Sequence, residues 1–230
     1  MCGRFSLGGT IRVGHLFDLP TWPETPPRYN IAPGQDVPAV IQNRETGARE
    51  CRPFRWDLVP SWAKDPAIGN RMINARSETA ATKPAFRKPL RERGCVILAD
   101  GFYEWKREGS RKQPYYIKLQ NDKPFAFAGL WDHWQPQEGE PVETCTILTT
   151  TPNAVLRAIH DRMPVILPPD AYTVWLDPAM REIEPAQALL TPDPAAEMTV
   201  YPVSPRVNNP RMTRPSTSRR WLDALPSKPW

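Results

Sequence analysis

The residues best suited to chemistry begin at the second position. In MCGRF, Cys2 follows a methionine, and an initiator methionine ahead of a small residue is normally trimmed. Trimming would leave Cys2 with an α-amine of reference pKa about 7.7–8.0 beside a thiol of about 8.5, both partly nucleophilic near neutral pH. Such a 1,2-aminothiol reacts readily with an aldehyde: the amine forms an imine, and the thiolate then closes a five-membered thiazolidine. An internal cysteine has no free amine and cannot do this. The plain alternative, a frayed terminus with an arbitrary residue, fits position 2 equally well when taken alone.

Four other stretches carry reactive or recognition groups. INARSETA (73–80) follows a Gly-Asn turn and presents Asn74, Arg76 and Glu78. An amide orients a substrate oxygen and a guanidinium fork grips a phosphate, although the local pattern alone favours a helix start capped by Ser77 or Thr79. In ADGFYEWK (99–106), an extended chain puts Phe102, Glu104 and Lys106 on one face and Tyr103 and Trp105 on the other. Burial of Glu104 among aromatics would raise its pKa and let it shuttle protons near pH 7; an edge-strand glutamate facing water is the even alternative. In RAIHDRMPVIL (157–167), His160 ends an expected helix, where it can act as acid or base or simply cap carbonyls, and Arg162 beside it suits an anionic substrate. RWDLVPSW (55–62) offers Trp56, assigned to the core, and Trp62, a stacking platform on a proline loop. His15 and His133 are uninformative, and three scattered histidines make no metal site.

The elements that must position these groups are mostly strands. VPAVIQN (37–43) and ARECRPFRWDLVP (48–60) read as a hairpin across an ETG turn. CVILADGFYEWK (95–106), QPYYIKL (113–119), PFAFAGLWDHW (124–134), ETCTILTT (143–150), MPVIL (163–167) and MTVYPVS (198–204) follow. This density predicts a β-rich α+β fold, an open barrel-like sheet with short flanking helices. Helices are expected over 11–19, 152–160 and 170–177, the last with Asp170 as N-cap.

Composition sets the outer bounds. The 230 residues suit one domain plus a tail, and 29 prolines imply short elements joined by rigid, extended loops. No apolar run reaches a membrane span, and no leader is visible, so a cytoplasmic, nucleoid-associated protein is expected. Cysteines at 2, 51, 95 and 145 lack CxxC spacing; the last three read as small core hydrophobes. The net charge of +5 lies in the end of the chain, where Arg206, Arg211, Arg214, Arg219, Arg220 and Lys228 face only Asp223. Such an end suits a polyanion or a solubilising tail.

MCGRF, RYNIAPGQ (28–35), W-x-LVPSW (56–62), INARSET (73–79), ADGFYEW (99–105), IHDRMPVIL (159–167) and VSPRVNN (203–209) occur in that order. Together they closely resemble the SOS-response-associated peptidase (SRAP) family, also called abasic site processing proteins. The resemblance covers residues 2–210, leaving a Pro/Arg-rich tail at 211–230. It implies loss of Met1, by self-processing or an aminopeptidase. Cys2 would then be captured by the aldehyde of an abasic site in single-stranded DNA, as a thiazolidine that shields the lesion in DNA damage repair and the SOS response. Carried over by motif, the catalytic roles fall on Cys2, Asn74, Glu104 and His160, and the DNA-binding roles on Arg4, Pro33, Trp62, Arg76, Thr149 and Arg162. No cofactor or metal is implied, a monomer is expected, and replication-fork partners are left open. Hydrolase activity would be confined to Met1 removal. Lyase cleavage through the Cys2 imine, or reversal of the crosslink, is chemically open. Asp57, where the family has glycine, and Pro205 depart from the pattern. Two rival readings are a class II glutamine amidotransferase-like hydrolase, whose MCGI start differs at Arg4, and a non-catalytic single-stranded DNA-binding module.

Overall fold

The computed structural model describes residues 2–8, 17, 19, 26–179 and 183–218. Strands among these residues are β1 (Phe5–Leu7), β2 (Arg28–Ile31), β3 (Asp36–Gln42), β4 (Arg49–Trp56), β5 (Asn74–Arg76), β6 (Gly94–Ala99), β7 (Gly101–Glu108), β8 (Arg111–Leu119), β9 (Phe125–Trp134), β10 (Val142–Thr150), β11 (Met163–Pro164), β12 (Ile166–Leu167) and β13 (Met198–Pro202). Short helices α1 (Ser77–Ala80), α2 (Arg87–Glu92), α3 (Tyr172–Leu176) and α4 (Glu184–Ala188) flank them.

Strands β4, β3, β6, β9 and β10 pair in that order, and β10 returns to β4, so five strands form a closed barrel. The expected β-rich α+β class holds, and the barrel is closed where an open sheet was expected. The closing seam is parallel, Thr144↔Arg55 and Cys145↔Trp56. It joins strands separated by some 90 residues of sequence, so no local pattern announces it. Closure removes the free edges that an open sheet would present.

The second sheet runs β13-β8-β7-β1-β2. Its inward aromatics bind it to the barrel: Phe5 lies 5.1 Å from Trp56 and 5.7 Å from Phe127, and Phe102 lies 6.0 Å from Phe127. Tyr103, on the other face of β7, joins Tyr116, Val203 and Val207 in a small second core. The alternation read from ADGFYEWK therefore divides the strand between two cores.

The Asp-Gly break inside that apolar run is where the chain leaves the barrel for the second sheet. Ser6 Oγ donates to Asp100 Oδ1 at 2.5 Å, and the Gly8 N–H donates to Asp100 Oδ2 at 2.6 Å. Residue 101 must be glycine for want of space, since a Cβ there would sit 2.1 Å from the Tyr116 hydroxyl. These contacts lock β1 beside β7, and so fix the residues that precede β1.

Two helix expectations are corrected. Over 152–160 there is only a 3-10 turn, Leu156–Ala158. Asn153 diverts the backbone there: its Oδ1 accepts from the Leu156 N–H at 3.0 Å, and its Nδ2 reaches the Asp193 carbonyl. Asp170 is not an N-cap; it lies inside the 3-10 turn Pro169–Ala171 that leads into α3. The expected helix over 11–19 lies outside the described residues except for Phe17 and Leu19. Cys95 and Cys145 are buried in the core and Cys51 is partly so, all free thiols, with burial pushing Cys51 up to about 12.

Candidate active site

Cys2 reaches its place by extension of β1. Phe5 pairs with Phe102, and the Tyr103 N–H donates to the Arg4 carbonyl at 2.9 Å. Continuing antiparallel, residues 2 and 3 run beside Glu104. Cys2 is fully buried, its Sγ 4.0 Å from the Arg4 carbonyl. Burial, and then the charge of Glu104, pushes the thiol far above its ordinary pKa.

Strand β5 supplies the next group. It pairs parallel to β10 through Ile147↔Asn74 and Thr149↔Arg76, so Asn74 and Arg76 share one face while Ala75 turns into the core. Asn74 Nδ2 donates to the Cys2 carbonyl at 2.8 Å. Its Oδ1 is buried and has no hydrogen-bond partner among the described residues.

Glu104 points inward behind Phe102 and is only 2% exposed. Burial raises its carboxyl to about 7. His160 Nε2 stands 3.9 Å from Glu104 Oε2. His160 Nδ1 lies 3.1 Å from the Arg162 N–H and 2.9 Å from Asp161 Oδ1, while Nε2 is the nitrogen facing Glu104. Burial lowers the His160 pKa, opposed by Asp161 next to Nδ1. The pair therefore sets a carboxyl raised to about 7 beside an imidazole whose pKa burial lowers.

Arg162 lies beneath this pair, not out in solvent. Its fork meets Glu78 at 2.6 and 2.9 Å and the Thr149 carbonyl at 2.5 Å, leaving it 9% exposed. The Thr149 hydroxyl, also buried, donates to the Ala75 carbonyl at 3.3 Å. Together they tie α1, β5, β10 and the His160 loop into one support. Arg4 splits its Nη1 between Asn30 Oδ1 and the Val207 carbonyl, both at 2.8 Å, and its guanidinium lies over Trp105 at 5.9 Å.

An open cavity of about 390 Å³ is lined by Arg4, Glu104, Trp105, Lys112, His160 and Asn208. Cys2, Asn74, Glu104 and His160 are thus brought together, with Arg4 on the cavity wall and Thr149 and Arg162 in its support. Arg76 is exposed beside Asn74. Pro33 is half-buried in a turn whose Gly34 has φ 81°, a left-handed value that glycine adopts freely. Trp62 is 57% exposed and lines a separate cavity of about 320 Å³ with Lys64 and Arg71. Its loop is pinned by the Ser61 N–H on Asp132 at 2.9 Å, the Val59 N–H on Thr144 at 2.8 Å and Trp134 Nε1 on the Ala63 carbonyl at 2.7 Å. Trp56 is fully buried.

Sequence reasoning missed Trp105, Lys112 and Asn208 as cavity residues. Asn208 accepts from Trp105 Nε1 at 2.8 Å and belongs to VSPRVNN, a motif with no chemistry of its own. Lys112 lies in KREGSRK (106–112), which reads as solvated charge. Asp57 is accommodated by Arg55, whose Nη2 approaches at 2.7 Å. Pro205 begins a 3-10 turn capped by Ser204.

The SOS response associated peptidase (SRAP) family model matches residues 1–210. The chain belongs to the SRAP family. Among SRAP relatives, "Abasic site processing protein YoaM" of Bacillus subtilis is 45% identical over 97% of this chain and 98% of its own length. "Abasic site processing protein HMCES" of Xenopus tropicalis is 34% identical over 82% of this chain and 64% of its own length. A solved structure from Bacteroides thetaiotaomicron superposes with TM-score 0.83 at 26% identity, covering 95% of this chain and 99% of the other. Beyond the SRAP match, residues 211–218 still touch the sheet: Asn30 Nδ2 donates to the Met212 carbonyl at 3.1 Å and the Tyr201 hydroxyl to the Ser218 carbonyl at 2.9 Å. No helix among the described residues is long and apolar enough to cross a membrane.

Proposed function

We propose that this protein processes abasic sites in single-stranded DNA by capturing the open-chain sugar aldehyde on Cys2 once Met1 is removed. The observation that carries the reading is the convergence on Cys2: Asn74 holds its carbonyl at 2.8 Å, beside a buried glutamate raised to about 7. The Cys2 amine adds to the aldehyde carbon, and loss of water gives an imine. The thiol sulfur then adds to the same carbon, and its proton passes to the imine nitrogen, closing the thiazolidine. The net change is aldehyde plus aminothiol to thiazolidine plus water.

Glu104 serves each proton transfer. As an acid it protonates the ring oxygen when the sugar opens, and as a base it takes the thiol proton, which burial otherwise holds in place. His160 holds or protonates a sugar hydroxyl. The buried Asn74 Oδ1 is the acceptor for the Cys2 amine. Arg76, Arg4, Pro33 and Trp62 contact the strand, while Thr149 and Arg162 act by holding the support in shape. Reversal would run the same steps backwards through Glu104, and elimination from the imine would give the lyase reaction. Peptidase activity is limited to release of Met1. The protein acts as a single domain over 2–210, as a monomer.

The test is the intact mass of the protein before and after incubation with single-stranded DNA bearing one abasic site. The expected result is loss of Met1 and a denaturation-resistant adduct of one protein per strand, minus water. Cys2→Ala should abolish the adduct and keep salt-sensitive binding. An adduct that persists in Cys2→Ala, or a wild-type protein that retains Met1, would overturn the reading. Glutamine hydrolysis by wild type would favour the amidotransferase alternative.

A further inference from the structure

Beyond the cavity, the β7–β8 hairpin continues outward in unbroken register: Trp105↔Pro114, Lys106↔Gln113, Arg107↔Lys112 and Glu108↔Arg111. Side chains alternate along each strand, so Trp105 and Arg107 share a face with Pro114 and Lys112. That face begins at the cavity, since Trp105 and Lys112 both line it. It then places two cations directly across from one another. Like charges in that position destabilise a hairpin. The hairpin does not relieve them: its outer carboxylate, Glu108, lies on the opposite face and approaches Lys106 at 3.8 Å. Arg107 and Lys112 are exposed and make no ion pair among the described residues. Arg162, by contrast, is committed to internal acceptors, Glu78 and Thr149. A repulsive pair at the mouth of a sugar-sized cavity has a physical rationale if an anion completes it.

We propose that Arg107 and Lys112 form a phosphate clamp that binds the phosphodiester flanking the sugar held in the cavity. The proposal rests on the reading of that cavity as an abasic-sugar site and adds to it the contact that sets the strand's path out of the site. Lys112 reaches the phosphate as a point charge and Arg107 as a planar fork, with Trp105 as the apolar step between phosphate and sugar.

The experiment uses the full chain and a single-stranded oligonucleotide carrying a tetrahydrofuran abasic analogue, which has no aldehyde and reports binding without chemistry. Affinity is measured from 50 to 200 mM salt for wild type, for the double variant Arg107→Gln/Lys112→Gln, and for Lys123→Gln in the turn between β8 and β9. Losing one phosphate contact should lower the slope of log affinity against log salt by ~0.7 and weaken low-salt binding by ~5–10-fold. Lys123→Gln should match wild type. Replacing the flanking phosphodiester by a neutral methylphosphonate should weaken wild type similarly and leave the double variant unchanged. Thermal melting of the double variant should equal or exceed that of wild type, because a repulsion has been removed.

An unchanged salt slope, an equal methylphosphonate effect in both proteins, or a lowered melting temperature would each overturn the clamp. Failure of wild type to form an adduct with aldehyde-bearing DNA would instead remove the reading of the cavity, so the two failures are separable.

Discussion

Asp132 on β9 and Glu104 on β7 are both carboxylates buried in a β frame, 3% and 2% exposed, yet their surroundings differ. Around Asp132 every contact is a donor: Arg93 forms an ion pair, and the N–H groups of Ser61 and His133 donate at 2.9 and 2.8 Å. Around Glu104 the Trp105 N–H is also a donor, with a histidine at 3.9 Å and the thiol of Cys2 nearby, yet burial outweighs these partners in its ionisation. The first acid is saturated and fixes the loop that presents Trp62. The second keeps a proton exchangeable near pH 7 at the mouth of a cavity. Depth of burial is the same; the partners decide whether an acid holds the fold or is available for chemistry.

The contrast can be broken most directly at Glu104. Glu104→Gln keeps the shape and removes the titration, and it should slow adduct formation by ~10²–10⁴-fold in single-turnover assays on abasic DNA. An unchanged rate would take the proton-transfer role away. Asp132→Asn should do the reverse. It leaves Arg93 without its charge partner and should lower stability by ~1–3 kcal/mol in urea unfolding, Arg93 being partly solvated. The folded fraction should still form adduct at near the wild-type rate. Equal stability losses in the two variants would erase the distinction.

The pH dependence sharpens it. The folded-state pKa of Glu104 is raised from 4.5 to about 7, so the folded form holds a proton that the unfolded chain releases. Its contribution is complete below the unfolded pKa and is lost as pH rises through the folded value. Relative to wild type, Glu104→Gln should therefore gain ~1–3 kcal/mol of stability between pH 4.5 and 8. A difference that stays flat across that window would mean the carboxyl is not raised. The smallest effect is expected at the loop that Asp132 holds. Trp62→Ala should leave the melting temperature unchanged and weaken single-stranded DNA binding by ~1 kcal/mol, the lower end for one stacked base. A loss of stability there would make Trp62 part of the fold rather than a platform.

Much of this was legible along the chain. The strand runs from 37 to 150 fold as strands, Trp56 is core, and Glu104 is buried on the face that alternation assigned to it. The INARSETA stretch shows where local reading falls short. Its pattern favours a helix start capped by Ser77 or Thr79; α1 does begin at Ser77, but Arg76 stands at the cap with no side-chain cap bond, and residues 74–76 form a strand because β10 offers a parallel edge. The helix expected over 152–160 failed for a similar reason: Asn153 bonds to Asp193, forty residues on.

By itself the sequence determined which segments are strands, which face of each is apolar, and which residue types are present for aldehyde chemistry. Those properties follow from side-chain volume, polarity and period two, all set within a few residues. Only the tertiary structure decided that the barrel closes between β4 and β10, and that Asn74 meets Cys2 across 72 residues. It also turned Arg162 inward to Glu78 and brought Lys112 to the cavity that Glu104 lines. These are pairings between distant segments, selected by burial and hydrogen-bond satisfaction of the whole frame, and no local pattern encodes them.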